Sequence, residues 1–455
     1  MSTQDFTPKT TYDQGIMMAV ETDQRGEAPS GNNAFWFQGG NWFSVVTDGL
    51  PSLYDQQAII FPVGHAGKRS MNQMPPIPGR KWSAGDINAI ATAEFMGLWL
   101  YGVMGSASHN TIPSTQLVLM ASSAIEDDNQ QFTLTAQPSD GGAILQIPID
   151  YTGLTAGSGR LTIAGTDSLG NAASETIGWD AAQVGASPVL YTRTSFSAVT
   201  GIDIDVCEVL GGSIAVNGIK EFRHEIRAGS INPTFSIERI GDPSAGAASK
   251  SFIHTGMGIQ SMGFDSPAAT RDGVITISST WEGDPTATCT AKAIQEASGV
   301  RMWPAWILNI SRDNATYLNP TDHSMEINSG VRNYRSAAGV QYPQGTFFGA
   351  RELTQSIALL LANETEFNRW RGSSVQALRL TWTTPWVLNT GNNVRLAASL
   401  LNTYTETVST AEDDDAFMYN ADFRNIATDA TSDVALFMVY DGIPPNAYGA
   451  STVLN

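Results

Sequence analysis

Sulfur ligands, basic charge and long apolar runs are all scarce in this sequence, and each scarcity removes a class of function. There are two cysteines, Cys207 and Cys289, in 455 residues. No CxxC or Cys/His spacing surrounds them, which excludes a zinc site and leaves two reduced, structural thiols as the expectation. Lys and Arg number 25 against 44 Asp and Glu, a formal charge of −19. A protein that grips nucleic acid neutralises phosphates with a basic stripe, and none is present. The acidic balance favours solubility; read more sharply, it suits a surface that DNA passes without sticking. No apolar run approaches the roughly 20 residues that cross a bilayer. The N-terminus (Met1-Ser-Thr-Gln-Asp-Phe6) lacks the basic and apolar regions of a signal peptide. Synthesis in a cytoplasm without a membrane anchor is therefore expected.

Catalytic signatures are missing as well. His65, His109, His224, His254 and His323 fall in no metal-binding spacing, and there is no GxSxG, P-loop or GxGxxG after a strand. No enzyme activity, cofactor or metal is expected. His224 and Glu225 alternate on a strand, and His224 reads as a surface or interface residue. Asp203 and Asp205 share a strand face, but Asp-x-Asp alone is too unspecific to assign calcium.

What the chain does contain is strand and turn material. Charged residues are only 15%, with 43 Gly and 21 Pro, against the ~25% charge of ordinary soluble domains. The fold class is all-β with one or two short helices. Asn33 to Val46 is aromatic and strand-like. Thr47 to Arg80 reads as a long irregular loop, and a loop of that length in a compact domain is often functional. Its Ile59, Ile60, Phe61 and Val63, with Met71 and Met74 further on, are too apolar for free solvent, so it is expected to pack on a neighbouring subunit. Glu94 to Met104 places Phe95, Trp99 and Val103 at helical spacing, with Gly105 as C-cap.

From 117 to 216 the texture changes to short alternating segments at about ten-residue spacing, the pattern of an immunoglobulin-like sandwich. Its Cys…Trp…Cys hallmark is absent. Afterwards Ser251–Phe264 and Gly273–Trp281 read as paired strands, with Ile275, Ile277 and Trp281 on one face and Thr276, Ser278 and Thr280 on the other. Leu353–Ala362 is a strand, Asn363–Trp370 a short helix, and Val434–Tyr440 a central strand. The run Glu412, Asp413, Asp414, Asp415 is a solvated loop or, in an assembly, a group facing a lumen or an adjacent ring. No internal repeat is visible by eye.

These features in this order resemble the major tail tube proteins of siphoviruses, long-tailed bacteriophages. Thr47–Arg80 looks like that family's inter-ring loop, and Lys81–Thr92 with Glu94–Gly105 like its strand–helix step. Thr255–Phe264 with Asp272–Gly283 looks like its hairpin, and Gly349–Gly442 like its C-terminal half. The resemblance implies a tail tube domain in two parts, 1–116 and 217–455, interrupted by an immunoglobulin-like insert at 117–216. Segment 283–349 exceeds a minimal tube domain and is either an elaboration or part of a second, divergent tube unit. The resemblance further implies rings, commonly hexameric, whose sheets join into a closed barrel and which stack into a virion tail tube. The tape-measure protein and then genomic DNA would pass through it, and terminator and initiator proteins would cap it. The competing readings are a carbohydrate-binding β-sandwich of a phage or cell surface, which needs clustered exposed aromatics, and a β-rich glycosidase, which needs two facing carboxylates.

Overall fold

The computed structural model of the 455-residue chain describes residues 15–21, 43–47, 52–60, 77–92, 96–111, 117–127, 129–138, 142–150, 158–167, 170–180, 189–207, 212–229, 233–240, 250–267, 273–285, 287–290, 302–313, 315–316, 320–334, 345–347, 349–360, 368, 370–389, 392–413, 416–426 and 434–442. The fold is all-β with antiparallel pairing throughout.

The chain begins with β1 (Gly15–Val20), β2 (Phe43–Val45), β3 (Tyr54–Ile60) and β4 (Ile77–Ile90). Helix α1 (Met96–Met104) and β5 (Gly105–Thr111) follow. Seven strands then pair among themselves: β6 (Leu117–Ala124), β7 (Gln131–Phe132), β8 (Ala143–Asp150), β9 (Ser158–Asp167), β10 (Ala172–Asp180), β11 (Val189–Cys207) and β12 (Ser213–Ile219). They enclose their own core around Leu145, Leu161, Ile163, Phe196 and Ile202. The chain leaves for this module from β5 and returns on β13 (Phe222–Ala228), whose Phe222 lies opposite Thr111. Exit and re-entry on adjacent strands are the geometry that lets a module be inserted without disturbing its host. Tyr191 of the module meets Phe222 edge-on, with ring centroids 5.7 Å apart.

After β13 come β14 (Phe235–Ile240), β15 (Lys250–Ser266), β16 (Thr276–Gly283) and β17 (Ala287–Thr290). The remainder holds β18 (Leu308–Arg312), β19 (Ala315–Thr316), β20 (Pro320–Asn328) and the small hairpin β21 (Arg332–Tyr334) with β22 (Gly345–Phe347). It ends with β23 (Glu352–Leu360), β24 (Gln376–Asn389), β25 (Asn392–Asp413), β26 (Ala416–Asn425) and β27 (Leu436–Asp441).

The pairings of the second half repeat those of the first. β1 pairs β2 and β14, as β18 pairs β19 and β24. β3 pairs β4 and β4 pairs β16, as β20 pairs β23 and β23 pairs β26. The long strand β15 takes β14, β16 and β17, as β25 takes β24, β26 and β27. Even the register breaks recur. β14/β15 shifts at Phe235/Ile237 and β24/β25 at Gln376/Leu378, while β15 bulges at Ile259/Ser261 and β25 at Thr405/Thr407. Bulges bend strands, and here they sit where each long strand passes from one group of partners to the next. Eight strands of one order therefore recur in tandem, within residues 15–290 without the inserted module and within 302–441, while β5 and β13 belong to the first unit alone and β21 and β22 to the second. Within 283–349, β17 still pairs in the first unit, and β18, β19 and β20 open the second.

The units join where β13 pairs β27 and where β15 pairs β20, Ser261 to Ser266 facing Asn328 to His323. This makes one eight-stranded antiparallel sheet in the order β3-β4-β16-β15-β20-β23-β26-β25. One face is core: Ile87, Ile277, Trp281, Phe264, Met325, Ile357 and Phe423 are all buried. α1 packs on it, Trp99 lying edge-on to Trp281 at 5.4 Å and Phe235 meeting the same ring at 88°. Gly102 permits that approach, because a Cβ there would stand 2.5 Å from Cδ1 of Ile259. α1 is buried on nearly every side rather than on one stripe, as befits a helix with no charged residue. Gly105, at φ 93°, ends it in the left-handed conformation that glycine accepts.

Two expectations need correction. Thr47–Arg80 is not irregular throughout, since Tyr54–Ile60 and Ile77–Arg80 form the hairpin strands β3 and β4. The polar start of β3 (Tyr54-Asp-Gln-Gln57) hid an edge strand, where hydrophobic alternation is least required. His224 is not a surface residue; it is fully buried.

Candidate functional site: the polar sheet face

Alternation makes the second face of the eight-stranded sheet polar. In β16, Thr276, Ser278 and Thr280 turn away from the core that Ile277, Ser279 and Trp281 enter. In β20, Asp322, Ser324, Glu326 and Asn328 are exposed while His323, Met325 and Ile327 are buried. Pairing lines these residues up in rows across the strands. One row runs Asn88, Ser278, Gly263, Glu326, Thr354, Arg424. The next runs Asp265, Ser324, Ser356, Asp422. The face frames a groove of about 710 Å³. Its described lining includes the carboxylates Asp86, Asp265, Glu326, Glu406 and Asp422 and no Lys or Arg.

Hydroxyls anchor two of these acids. Thr280 Oγ1 donates to Asp86 Oδ1 at 2.8 Å, and Thr407 donates to Asp422. Arg424, at one side of the face, holds Glu352 at 2.7 Å and Glu406 at 3.3 Å. The Asp265 carboxyl is pushed above its usual range by burial and by the neighbouring Asp322 charge. Small hydroxyls alternate with the acids, and the carboxylates give the groove lining a negative charge.

Among the described residues, the groove lining includes none of the site candidates singled out from sequence. Glu412 and Asp413 close β25 opposite Phe417 and Ala416, and Asp414 and Asp415 fall outside the described residues. Ile59 and Ile60 end β3 opposite Pro78 and Ile77. Phe61, Val63, Met71 and Met74 fall outside the described residues. Asp203 and Asp205 sit on β11 of the inserted module. No cluster of His, Cys, Asp and Glu able to hold a metal occurs among the described residues, and no described helix is long and apolar enough to cross a membrane. Sequence reasoning missed Asp86, Asp265, Glu326 and Asp422. The signal was there in the Ser/Thr faces of the strands, but only pairing shows that the acids share one surface.

A second polar group is buried beside the inserted module. His109 of β5 and His224 of β13 face each other through Nδ1 atoms 2.8 Å apart, and His224 Nε2 lies 3.0 Å from Asp441 Oδ1 of β27. Burial, then the His224 charge, lowers His109 to about 3. Glu221, raised by burial, stands 3.7 Å from Arg395, whose guanidinium lies over the Tyr440 ring. Glu221 and Asp441 are buried, and the Arg395 side chain reaches the surface at 36% exposure.

The chain matches no protein family model and no curated protein. Among solved structures it is similar to a chain of the structure of infectious bursal disease virus Gx strain, at 12% identity over 63% of this chain and 68% of that one, with a TM-score of 0.10. A likeness that weak carries no argument.

Proposed function

We propose that this chain is a non-enzymatic structural subunit of a siphovirus tail tube. It would assemble into stacked rings that conduct the tape-measure protein and then the genome. The single observation carrying the reading is the eight-stranded sheet, buried on one face, acidic and hydroxyl-lined on the other, and bounded by β3 and β25. Among the described residues, neither β3 nor the stretch of β25 beyond Thr403 has a strand on its outer side. Eight is an even number, so the outermost strands run in opposite directions. Copies placed around an axis then continue the antiparallel alternation and close into a barrel, which removes both edges. With the polar face inward, the lumen is a conduit along which phosphates slide. Each chain brings two units of one strand order, so a ring of six units takes three chains. The inserted module, with its own core, would project from the tube wall.

The test is negative-stain electron microscopy of the purified protein at rising concentration. Hollow filaments with a regular repeat support the tube; a monomer that never polymerises, even with tail initiator proteins, removes it. A carbohydrate-binding reading has one observation in its favour, the exposed Trp306 and Trp386, the latter donating from Nε1 to the Met302 carbonyl at 3.1 Å. Binding to a glycan array without polymer formation would select it.

A further inference from the structure

The tandem units meet inside each chain in a way that prescribes how two chains would meet. β15 is the edge of the first unit's part of the eight-stranded sheet and pairs β20, the edge of the second's. The counterpart of β15 is β25, and the counterpart of β20 is β3; these are the two outer strands of the sheet. The internal junction is thus a template for an intermolecular one, provided that the counterparts can be matched residue by residue.

The shared bulge makes that possible. Aligning Ile259/Ser261 of β15 with Thr405/Thr407 of β25 equates Ser261 with Thr407 and Gly263 with Ser409. Across the next strand, Thr280 opposite Ser261 then matches Asp422 opposite Thr407, and Trp281 matches Phe423, both buried aromatics. One strand further, Asp86 opposite Thr280 matches Ser356 opposite Asp422, and Ile87 matches Ile357, both fully buried. Finally, the Ser52 N–H donates to the Asp86 carbonyl at 3.0 Å, while Ser324 lies opposite Ser356. Ser52 therefore corresponds to Ser324, Leu53 to the equally buried Met325, Tyr54 to Glu326 and Gln56 to Asn328. Every step keeps core residue on core residue.

Inside the chain Gly263 faces Glu326 and Ser261 faces Asn328. We propose that β25 of one copy pairs antiparallel with β3 of the next in the same register, Ser409 facing Tyr54 and Thr407 facing Gln56. The occupant of each outer edge is thereby a second copy of this chain. The contact is head-to-tail, so it propagates around a ring instead of stopping at a dimer. Tyr54 is 55% exposed in the single chain and gains a flanking strand in the pair. The inference rests on the ring reading above and adds to it a register.

The test uses the full-length protein carrying Tyr54→Cys and Ser409→Cys, assembled and then mildly oxidised. Directly opposed residues in an antiparallel pair lie about 4.5–5.5 Å apart at Cα, within disulfide reach. Within one chain the two positions stand at opposite ends of eight strands, roughly 30 Å apart, so any bridge is intermolecular. The expected result is a ladder of covalent oligomers on a non-reducing gel. Tyr54→Cys with Thr407→Cys, two residues out of register, should give none, and the single variants report on Cys207 and Cys289. Gln56→Cys with Thr407→Cys should repeat the ladder and covers the case in which the first pair folds poorly. Tubes that form but cross-link only out of register, or at neither matched pair, overturn the register while leaving the ring reading intact. A wild-type protein that forms no polymer overturns the ring reading and the register with it.

Discussion

His109 and His224 face each other through Nδ1 atoms 2.8 Å apart, with Asp441 Oδ1 3.0 Å from Nε2 on the far side of His224. The pair holds β5, β13 and β27 together where the inserted module is attached. Burial, then the neighbouring His224, lowers the His109 pKa to about 3 and so favours its neutral form.

Acid sensitivity follows. Burial lowers His254 and His323 to about 4 as well, whereas the unfolded histidine protonates near pH 6.5. The unfolded chain thus takes up protons first as pH falls. The contribution of these groups is complete above about pH 6.5 and is lost progressively down to about pH 4. For the fully buried His323 the loss reaches about 3 kcal/mol. Thermal unfolding followed from pH 7.5 to 4.5 should show a falling midpoint, and His323→Leu should flatten the fall. A midpoint independent of pH in this window contradicts the assignment.

Two cores should unfold as two transitions. Leu161→Ala in the inserted module should cost about 2–5 kcal/mol and lower only the module's calorimetric transition, leaving polymerisation unchanged. Trp281→Ala, which empties the contact with Trp99 and Phe235, should cost about 3–5 kcal/mol and abolish assembly. Equal effects of both variants on assembly would mean that the module is part of the wall.

Charge on the polar face should govern DNA, not folding. Glu326→Lys with Asp422→Lys should leave thermal stability within about 1 kcal/mol, as expected of exposed charges. Assembled tubes should then retain DNA on a filter at low salt and release it as salt rises. Wild-type tubes should retain none. Retention by the wild type would count against a non-sticking lumen.

Replacing 61–76 with a short Gly-Ser linker should leave a folded subunit that closes rings but does not stack them. Normal filaments from this variant would remove the inter-ring role of that segment.

The all-β class, the hairpin of β15 and β16, α1 and the buried tryptophans were legible because alternation and helical spacing are local. The duplication was not. Ile87 and Ile357 match, but Ser83 corresponds to Leu353 and Thr280 to Asp422, so the units share the order of eight strands and the bulges while the residues differ. The acidic groove was half legible: Thr276, Ser278 and Thr280 were placed on one face, but Glu326 and Asp422 join them only through pairing. The His109–His224 contact spans 115 residues and leaves no mark in spacing.

The most direct measurement is cryo-electron microscopy of the assembled polymer at side-chain resolution. The tube account predicts a closed barrel with Asp86, Glu326 and Asp422 facing the lumen and β25 of each chain beside β3 of the next. A polymer with those acids on its outer surface, or with β3 and β25 exposed to solvent, would contradict it.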